Sequence, residues 1–439
     1  MLIGLELLNL WRKIKNVKNE MNKIKTILSA LVMISMAVTA MAQGTVSPYS
    51  KFGYGLLGES ATNMQRSMGE VGYAMQGGRQ VNTMNPAAYA FTDSLTFLWD
   101  MGVDLTLLRA YDAQSETSGK ATGGGLDYIA MQFPLSKTMG MSIGVVPMSS
   151  VGYAFGKTLE HGTDSRTGDG GITRFYAGVA WSPIKFISIG ANVGYEFGSI
   201  VHDTYVLNEA GSTTMFERVM QVRNWGAQIG IQANANIGRR HRMNFGLMFS
   251  PGRSLHGQTW GAYYDYTLDT KQDSIGYTKL NDKYSMPATY GAGIGYCYDN
   301  RFYLEFDYTF QPWSKAKYAP LKGFDPDNIM MAFKDRQKFA LGMEYVPSLR
   351  GNFAQIISYR LGGNYTSDYM SFDGDNLREY SVSCGFGIPT AANSKTIINI
   401  GFEYKRRTTP SKALVTENYY NFTLGVTFNE AWFFQSKIR

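Results

Sequence analysis

From Leu95 onward the chain alternates apolar and polar residues at period two, in runs on the order of ten residues bounded by turn residues. In Arg301–Gln311 one face reads Phe302, Leu304, Phe306, Tyr308 and Phe310, the other Arg301, Tyr303, Glu305, Asp307, Thr309 and Gln311. The final run sets Tyr420, Phe422, Leu424, Val426 and Phe428 against Asn421, Thr423, Gly425 and Thr427. Fourteen such strands are predicted, centred on Leu95–Leu108, Leu126–Leu135, Met139–Phe155, Ile172–Pro183, Phe186–Val206, Met220–Gly238, Arg242–Trp260, Met286–Tyr298, Arg301–Trp313, Gln337–Val346, Gln355–Tyr365, Arg378–Pro389, Thr396–Arg406 and Tyr419–Phe428. Short connections follow even-numbered strands (Ser136-Lys137-Thr138, Ile184-Lys185, Asp299-Asn300) and long polar ones follow odd-numbered strands (112–124, 156–170, 314–336). A soluble sandwich also alternates, but its polar face carries many more charges. Here that face is Gly, Asn, Gln and Thr with a few charges of both signs, which suits a wetted or filled lumen. The pattern predicts an all-β fold, a 14-stranded antiparallel transmembrane β-barrel over residues 95–428. An even strand count puts both of its ends in the periplasm.

Residues 43–94 do not alternate. The stretch from Gly69 to Ser94 is glycine-rich and dotted with methionine, with no helical or strand period. Irregular backbone must find partners for its own polar groups, so this segment is expected as a plug within the lumen. No stretch after Gln43 approaches the roughly 20 apolar residues of a membrane helix, while 14% aromatic and 18% charged residues suit a barrel that shows one face to lipid.

Ahead of the plug, Lys23 and Lys25 precede an apolar core, Ile27 to Val38, and an Ala40-Met41-Ala42 cleavage site. Residues 21–42 thus read as a signal peptide, with residues 1–20 an over-extended start; a membrane anchor is the competing reading, for which the core is short. Residues 429–439 form a periplasmic tail if Phe428 is the closing aromatic; Phe434 is the alternative. The leader also changes the charge. The chain's net +7 includes six cations and two anions in residues 1–42, a net of +4 that leaves +3 for the rest. Nucleic acid is not an expected partner, and Arg239-Arg240-His241-Arg242 reads as a solvated turn.

Candidate chemistry is sparse. Cys297 falls on the lumen phase and Cys384 on the lipid phase, so two free thiols are expected. Gly53-Tyr54-Gly55-Leu56-Leu57-Gly58 matches a dinucleotide fingerprint without the βαβ unit it needs. Gly140-Met141-Ser142-Ile143-Gly144 matches a nucleophile elbow inside an alternating strand. His161, His202, His241 and His256 lack metal-ligand spacing. No catalytic residue, metal or cofactor is assigned. Arg174, Arg301, Glu305, Asp307, Glu344, Glu403 and Lys405 share the lumen phase. They serve as internal ion pairs bracing wall and plug or, alternatively, one cation meets a ligand carboxylate. Pro147 lies mid-strand, where it cannot donate to a ladder. A bulge is expected there, with Ser149 and Ser150 able to bond the freed carbonyls.

Asn85-Pro86-Ala87, after the glycine-rich run and before the first long strand, resembles the hatch signature of FadL-type outer-membrane transporters. Ser47-Pro48-Tyr49-Ser50, Asp93-Ser94-Leu95-Thr96-Phe97 and the ending Asn418 to Phe434 resemble the Bacteroidetes branch of that family. An ordinary Asn-Pro turn accounts for the same three residues. The resemblance implies passive transport of hydrophobic small molecules, such as long-chain fatty acids, across the outer membrane of a Gram-negative cell. It also implies a kinked third strand opening a lateral window to lipid. Met64, Met68, Tyr73, Met75 and Met84 would line a pocket between hatch and wall, or simply pack the plug. The alternative function is a non-transporting barrel that is a structural subunit of an outer-membrane assembly or secretion complex. Its partner surfaces would be the loops 255–283 and 314–336, with Trp260, Tyr263, Tyr264, Tyr266 and Trp313.

Overall fold

The computed structural model describes residues 46–113, 115–159, 162–208, 213–265, 272–319, 321, 331–349, 351–372, 374–390, 396–410 and 414–431. The expectations for residues 1–42, His161, Tyr266, Phe434 and the end of the tail lie outside them. Fourteen long strands form one antiparallel sheet: β1 Thr96–Asp112, β2 Thr117–Pro134, β3 Met139–Leu159, β4 Gly162–Ile184, β5 Ile187–Asn208, β6 Thr213–Ile237, β7 His241–Ser250, β8 Thr289–Tyr298, β9 Phe302–Gln311, β10 Arg336–Tyr345, β11 Ser358–Phe372, β12 Asp375–Pro389, β13 Ile397–Thr408 and β14 Thr416–Ala431. Each pairs with its neighbours, and β14 closes on β1 through Trp99↔Phe428. The result is a closed 14-stranded barrel of the outer-membrane type. Closure is what lets strands span lipid, because an open edge would leave backbone donors and acceptors unpaired where no water can reach them.

The alternation sets the two faces. Trp225 (66% exposed), Val382, Leu247, Phe306 and Phe422 point outward, while Gln232, Glu305, Asn399 and Thr427 on the opposite phase are buried. Cys297 is buried on the inward phase and Cys384 is half-buried on the outward one, both as free thiols. Short turns join strands at one end of the barrel, the turn end. The expected alternation of connection length holds only in part: at the other end, the loop end, residues 251–288 and 312–335 are long, but 113–116 and 373–374 are short because the strands themselves extend, while the turn end includes the longer connection 346–357.

Several expected boundaries moved. Of the predicted loops 112–124 and 156–170, residues 117–124 extend β2, 156–159 extend β3 and 162–170 extend β4, because strands projecting beyond the lipid no longer need an apolar face to pair. The predicted Arg242–Trp260 strand breaks after Ser250. Gly257–Asp265 then returns to pair with the outer half of β6, and Gln272–Lys279 adds beside it. Residue 355 lies in a helical turn, Phe353–Ile356, ahead of β11. Arg301 stands in the β8–β9 turn rather than in the lumen, half-exposed and 3.2 Å from Asp299.

The wall is irregular at one place. The β2–β3 ladder runs from Pro134↔Gly140 to Ile129↔Val145 and ends there. A register shift follows between Pro147 and Ser149 in the β3–β4 pairing, where proline has no N–H to give. Beside this split, Leu56 and Leu57 pair with Ser150 and Ser149 as a short added strand. The Gly58 N–H donates to the Met148 carbonyl at 2.8 Å and the Ser47 N–H to the Gly152 carbonyl at 2.7 Å. Gly55 has φ +81, and a Cβ there would strike the Ser150 carbonyl, so only glycine lets the segment lie this close.

The two thiols generate a simple expectation. The protein migrates identically with and without reductant, and in detergent a lipophilic maleimide labels Cys384 well before buried Cys297. Equal labelling would place a strand in the wrong phase.

Candidate functional site

The interior is organised by residues 46–95, most of them buried and many bonded to inward-facing side chains from much of the wall's circumference. Asn85 caps the 3-10 turn Pro86–Phe91, its side-chain oxygen accepting from the Ala87 N–H at 3.0 Å. Its amide nitrogen donates to the carbonyls of Tyr73 at 2.7 Å and Leu247 at 3.3 Å. Asn82 does similar work, accepting from the N–H groups of Met84 and Asn85 and donating to the Gly72 and Met75 carbonyls. Each amide satisfies irregular backbone that no ladder serves. Of these two, only Asn85 sits in a recognisable motif; nothing in the sequence marks Asn82.

Wall carboxylates grip the same backbone. Asp307 accepts from the Gly72 and Tyr73 N–H groups at 2.7 and 3.0 Å, and Glu305 from the Ala74 N–H at 2.6 Å. Gly69 receives no ladder bond either, and donates to the Ser383 hydroxyl at 2.9 Å. Close approach explains the glycines on the facing wall. A Cβ at Gly246 would collide with the Tyr73 carbonyl, and one at Gly342 or Gly362 with Met68.

Glu305 and Asp307, expected as ion-paired braces, meet backbone N–H groups instead, while most other lumen charges are paired. Glu196 takes Arg174 at 2.8 Å and also Arg253. Glu59 takes Arg336 at 2.5 Å and Lys338 at 3.3 Å, and Glu70 takes Lys338 at 2.5 Å. Glu344 holds Arg360 at 2.6 Å, and Glu379 holds Lys405 and Arg407 at 3.2 and 2.6 Å. Glu403 accepts from Asn421 at 2.9 Å. Burial acts to raise the Glu70 and Glu59 carboxyls, but Lys338, joined by Arg336 at Glu59, outweighs it and holds both below the usual carboxylate range.

The five residues proposed for a pocket divide. Met64, Met68 and Met75 pack together with Val71 and Ala340 as plug core. Tyr73 and Met84 join Met248 in another cluster and face a cavity of about 110 Å³, with Met148, Met286 and Trp313 also in its lining. Ser149 and Ser150 adjoin the split, but the Ser149 hydroxyl has no partner among the described residues, because the added strand takes the backbone groups it was expected to serve. Above the cavity, Tyr54, Tyr284, Trp313, Tyr369 and Leu280, each at most 1% exposed, form an aromatic roof at the loop end. Trp313, expected as a partner surface, is one of its beams.

A family profile described as BamG matches residues 22–439. No curated protein matches the sequence. Among solved structures, the chain is similar to the P. putida toluene transporter TodX, at 13% identity over 86% of this chain and 100% of that one, with a TM-score of 0.58. It is also similar to a Pseudomonas aeruginosa FadL homologue (12% identity, 85% and 99% covered, TM-score 0.56) and the Ralstonia pickettii toluene transporter TbuX (14%, 85% and 99%, TM-score 0.55). At these identities the likeness is one of fold.

Two predictions follow from the interior bonds. Asn85→Ala strands the Ala87 N–H at a fully buried position and takes one of its two side-chain donors from the Tyr73 carbonyl, leaving Gln232. Each buried orphan costs about 1–3 kcal/mol, so the variant should become cleavable by protease within residues 60–95 under conditions where wild type resists; equal resistance would show the cap to be dispensable. The second concerns acid. Glu59 and Glu70 have depressed folded-state values, so their stabilisation is full above the ordinary carboxylate value near 4 and drains as pH falls further. Their contribution to the protease resistance of the interior segment should therefore be constant from about pH 7 to pH 5 and decline below about pH 4. Glu70→Gln should flatten part of that decline, and an unchanged profile would remove the pair from the account.

Proposed function

The chain belongs to the BamG family, and on that premise we propose that it is a sealed barrel, a structural subunit of an outer-membrane assembly or secretion complex rather than a conduit. Its turn end, with both ends of the barrel chain, faces the periplasm. The observation that supports this reading is the double closure of the lumen. The aromatic roof covers the loop end, and the Leu56–Leu57 strand occupies the split beside Pro147 where a lateral window would open. The cavity that Tyr73 and Met84 face, about 110 Å³, falls short of the roughly 300–1,000 Å³ of a ligand pocket. Its cations already hold protein partners, Arg174 and Arg253 sharing Glu196 and Arg336 bonded to Glu59.

One feature favours a second reading, the passage of hydrophobic molecules resembling long-chain fatty acids with lateral exit, as the resemblance to FadL-type barrels implies. Tyr73, Met84, Met148 and Met248 give the cavity an adaptable apolar side, and Met148 sits at the wall's register shift.

Native purification from the source membrane, in mild detergent and without added ligand, separates the two. The subunit reading expects a stoichiometric set of partner proteins and no uptake of a hydrophobic probe by liposomes holding the barrel. A lone barrel carrying bound fatty acid, active in uptake, would replace it with the transport reading.

A further inference from the structure

The wall is lopsided. Strands β3 to β6 are 21, 23, 22 and 25 residues long, against 10 for each of β7 to β10. About 9–11 residues suffice to cross lipid. The excess rises at the loop end on one side only, and Gly257–Asp265 and Gln272–Lys279 widen it into a six-stranded sheet. One face of this sheet packs on the roof through Val151, Ile172, Ile200, Met220 and Val222. The other continues the lipid-facing phase of the wall, and so looks sideways beyond the membrane.

That outward face has a definite chemistry. Val201, Val219, Trp260 and Tyr277 form one lateral row, with Tyr277 68% exposed and its ring 6.4 Å from that of Trp260. In the next row Asp203 stands directly opposite Glu217, and exposed Asp169 lies beside Val201. Like charges directly opposite in a sheet are destabilising. Neither Asp203 nor Glu217 has a hydrogen bond or ion pair among the described residues, and one Asp203 oxygen is buried without a partner. The nearest cations of this phase lie one row or more toward the lipid belt, exposed Lys279 two residues from Tyr277 and Arg223 six residues from Glu217 on β6. Arg218 and His202 project from the opposite face, where His202 meets Tyr153.

We propose that this face docks a partner protein that presents lysine or arginine flanked by apolar side chains, placed beside the barrel beyond the membrane. The inference rests on the subunit reading. A cation between Asp203 and Glu217 would relieve their repulsion, while Trp260 and Tyr277 supply the rigid apolar contact that interface centres favour. Charge excludes the other occupants. A second copy in the same membrane, related by an axis along the membrane normal, would set acids against acids, and anionic headgroups are repelled in the same way.

The test uses the native complex. A carbodiimide couples a carboxylate to a lysine in direct contact, and mass spectrometry of the digest identifies both ends. The expected result is a link from Asp203 or Glu217 to a lysine of another protein of the complex. Asp203→Lys with Glu217→Lys should then lose that protein about tenfold or more, while the variant keeps the heat-modifiable gel shift and protease resistance of a folded barrel. Asp203→Asn with Glu217→Gln guards against misfolding of the reversed pair and should give a smaller loss. Unchanged composition in both variants, or links only to a second copy of this chain, overturns the docking surface and leaves the subunit reading standing. A wild-type barrel that purifies alone overturns both.

Discussion

Lipid offers no hydrogen bonds, so every backbone donor and acceptor of the wall must find a protein partner. Thirteen of the fourteen seams meet this demand through long ladders between neighbours. The seam between β2 and β3 does not, because the ladder ends at Ile129↔Val145 and Pro147 follows two residues later. What completes it is the interior segment, which gives Leu56 and Leu57 to Ser150 and Ser149, then Gly58 and Ser47 to Met148 and Gly152. The interior segment is therefore part of the wall as well as its filling. Everything else in the lumen can be understood as holding that segment in place.

The holding is polar, which is unusual for a core of this size. A segment without regular structure exposes its N–H and C=O groups, and a lumen of valine and leucine would leave them unpaired at about 1–3 kcal/mol each. Asp307, Glu305, Gln232 and Gln228 supply the missing partners from the wall, and Asn82 and Asn85 supply them from within. Apolar packing is kept to small clusters, Met64–Met68–Met75 beneath β10 and the aromatic roof above.

Period-two patterning carried the barrel into view because lipid enforces it on every strand that spans. It misled where lipid is absent. Residues 162–170 and 117–124 have mixed faces and glycine, so they looked like loops, yet beyond the membrane a strand needs only a neighbour. Pro147 was legible for a related reason: a missing N–H is a property of one residue and needs no fold to be known. Its consequence was not, since nothing in Leu56-Leu57 says that it will lie in the gap. Asn85 stood out through its motif, whereas Asn82, Gln232 and the partnering of Glu305 with the Ala74 N–H depend on positions far apart in sequence that only closure brings together. The methionines illustrate the limit most plainly. Five similar residues, Met64, Met68, Met75, Met84 and Met248, divide between packing and cavity lining according to which strand they meet.

The energetics of the split argue that it stays shut. Freeing residues 47–58 from β3 would break the Leu56–Leu57 pairing, the bonds from Gly58 and Ser47, and those between the Ser50 hydroxyl and Gly152. It would also separate Ser47 from Glu417 and the Tyr49 hydroxyl from the Val415 carbonyl. At about 0.5–1.5 kcal/mol net for each bond, the total is of order 5 kcal/mol before any apolar contact of Tyr49 or Leu57 is counted. Since about 1.4 kcal/mol is a factor of ten, the open form would hold roughly one molecule in several thousand. A ligand could raise that population only by binding the open form better than the closed one, by about the same free energy. The closed form offers such a ligand a cavity of about 110 Å³ whose cations are taken. A seal this firmly bonded suits a barrel that must keep the membrane tight while its outer surfaces do the work.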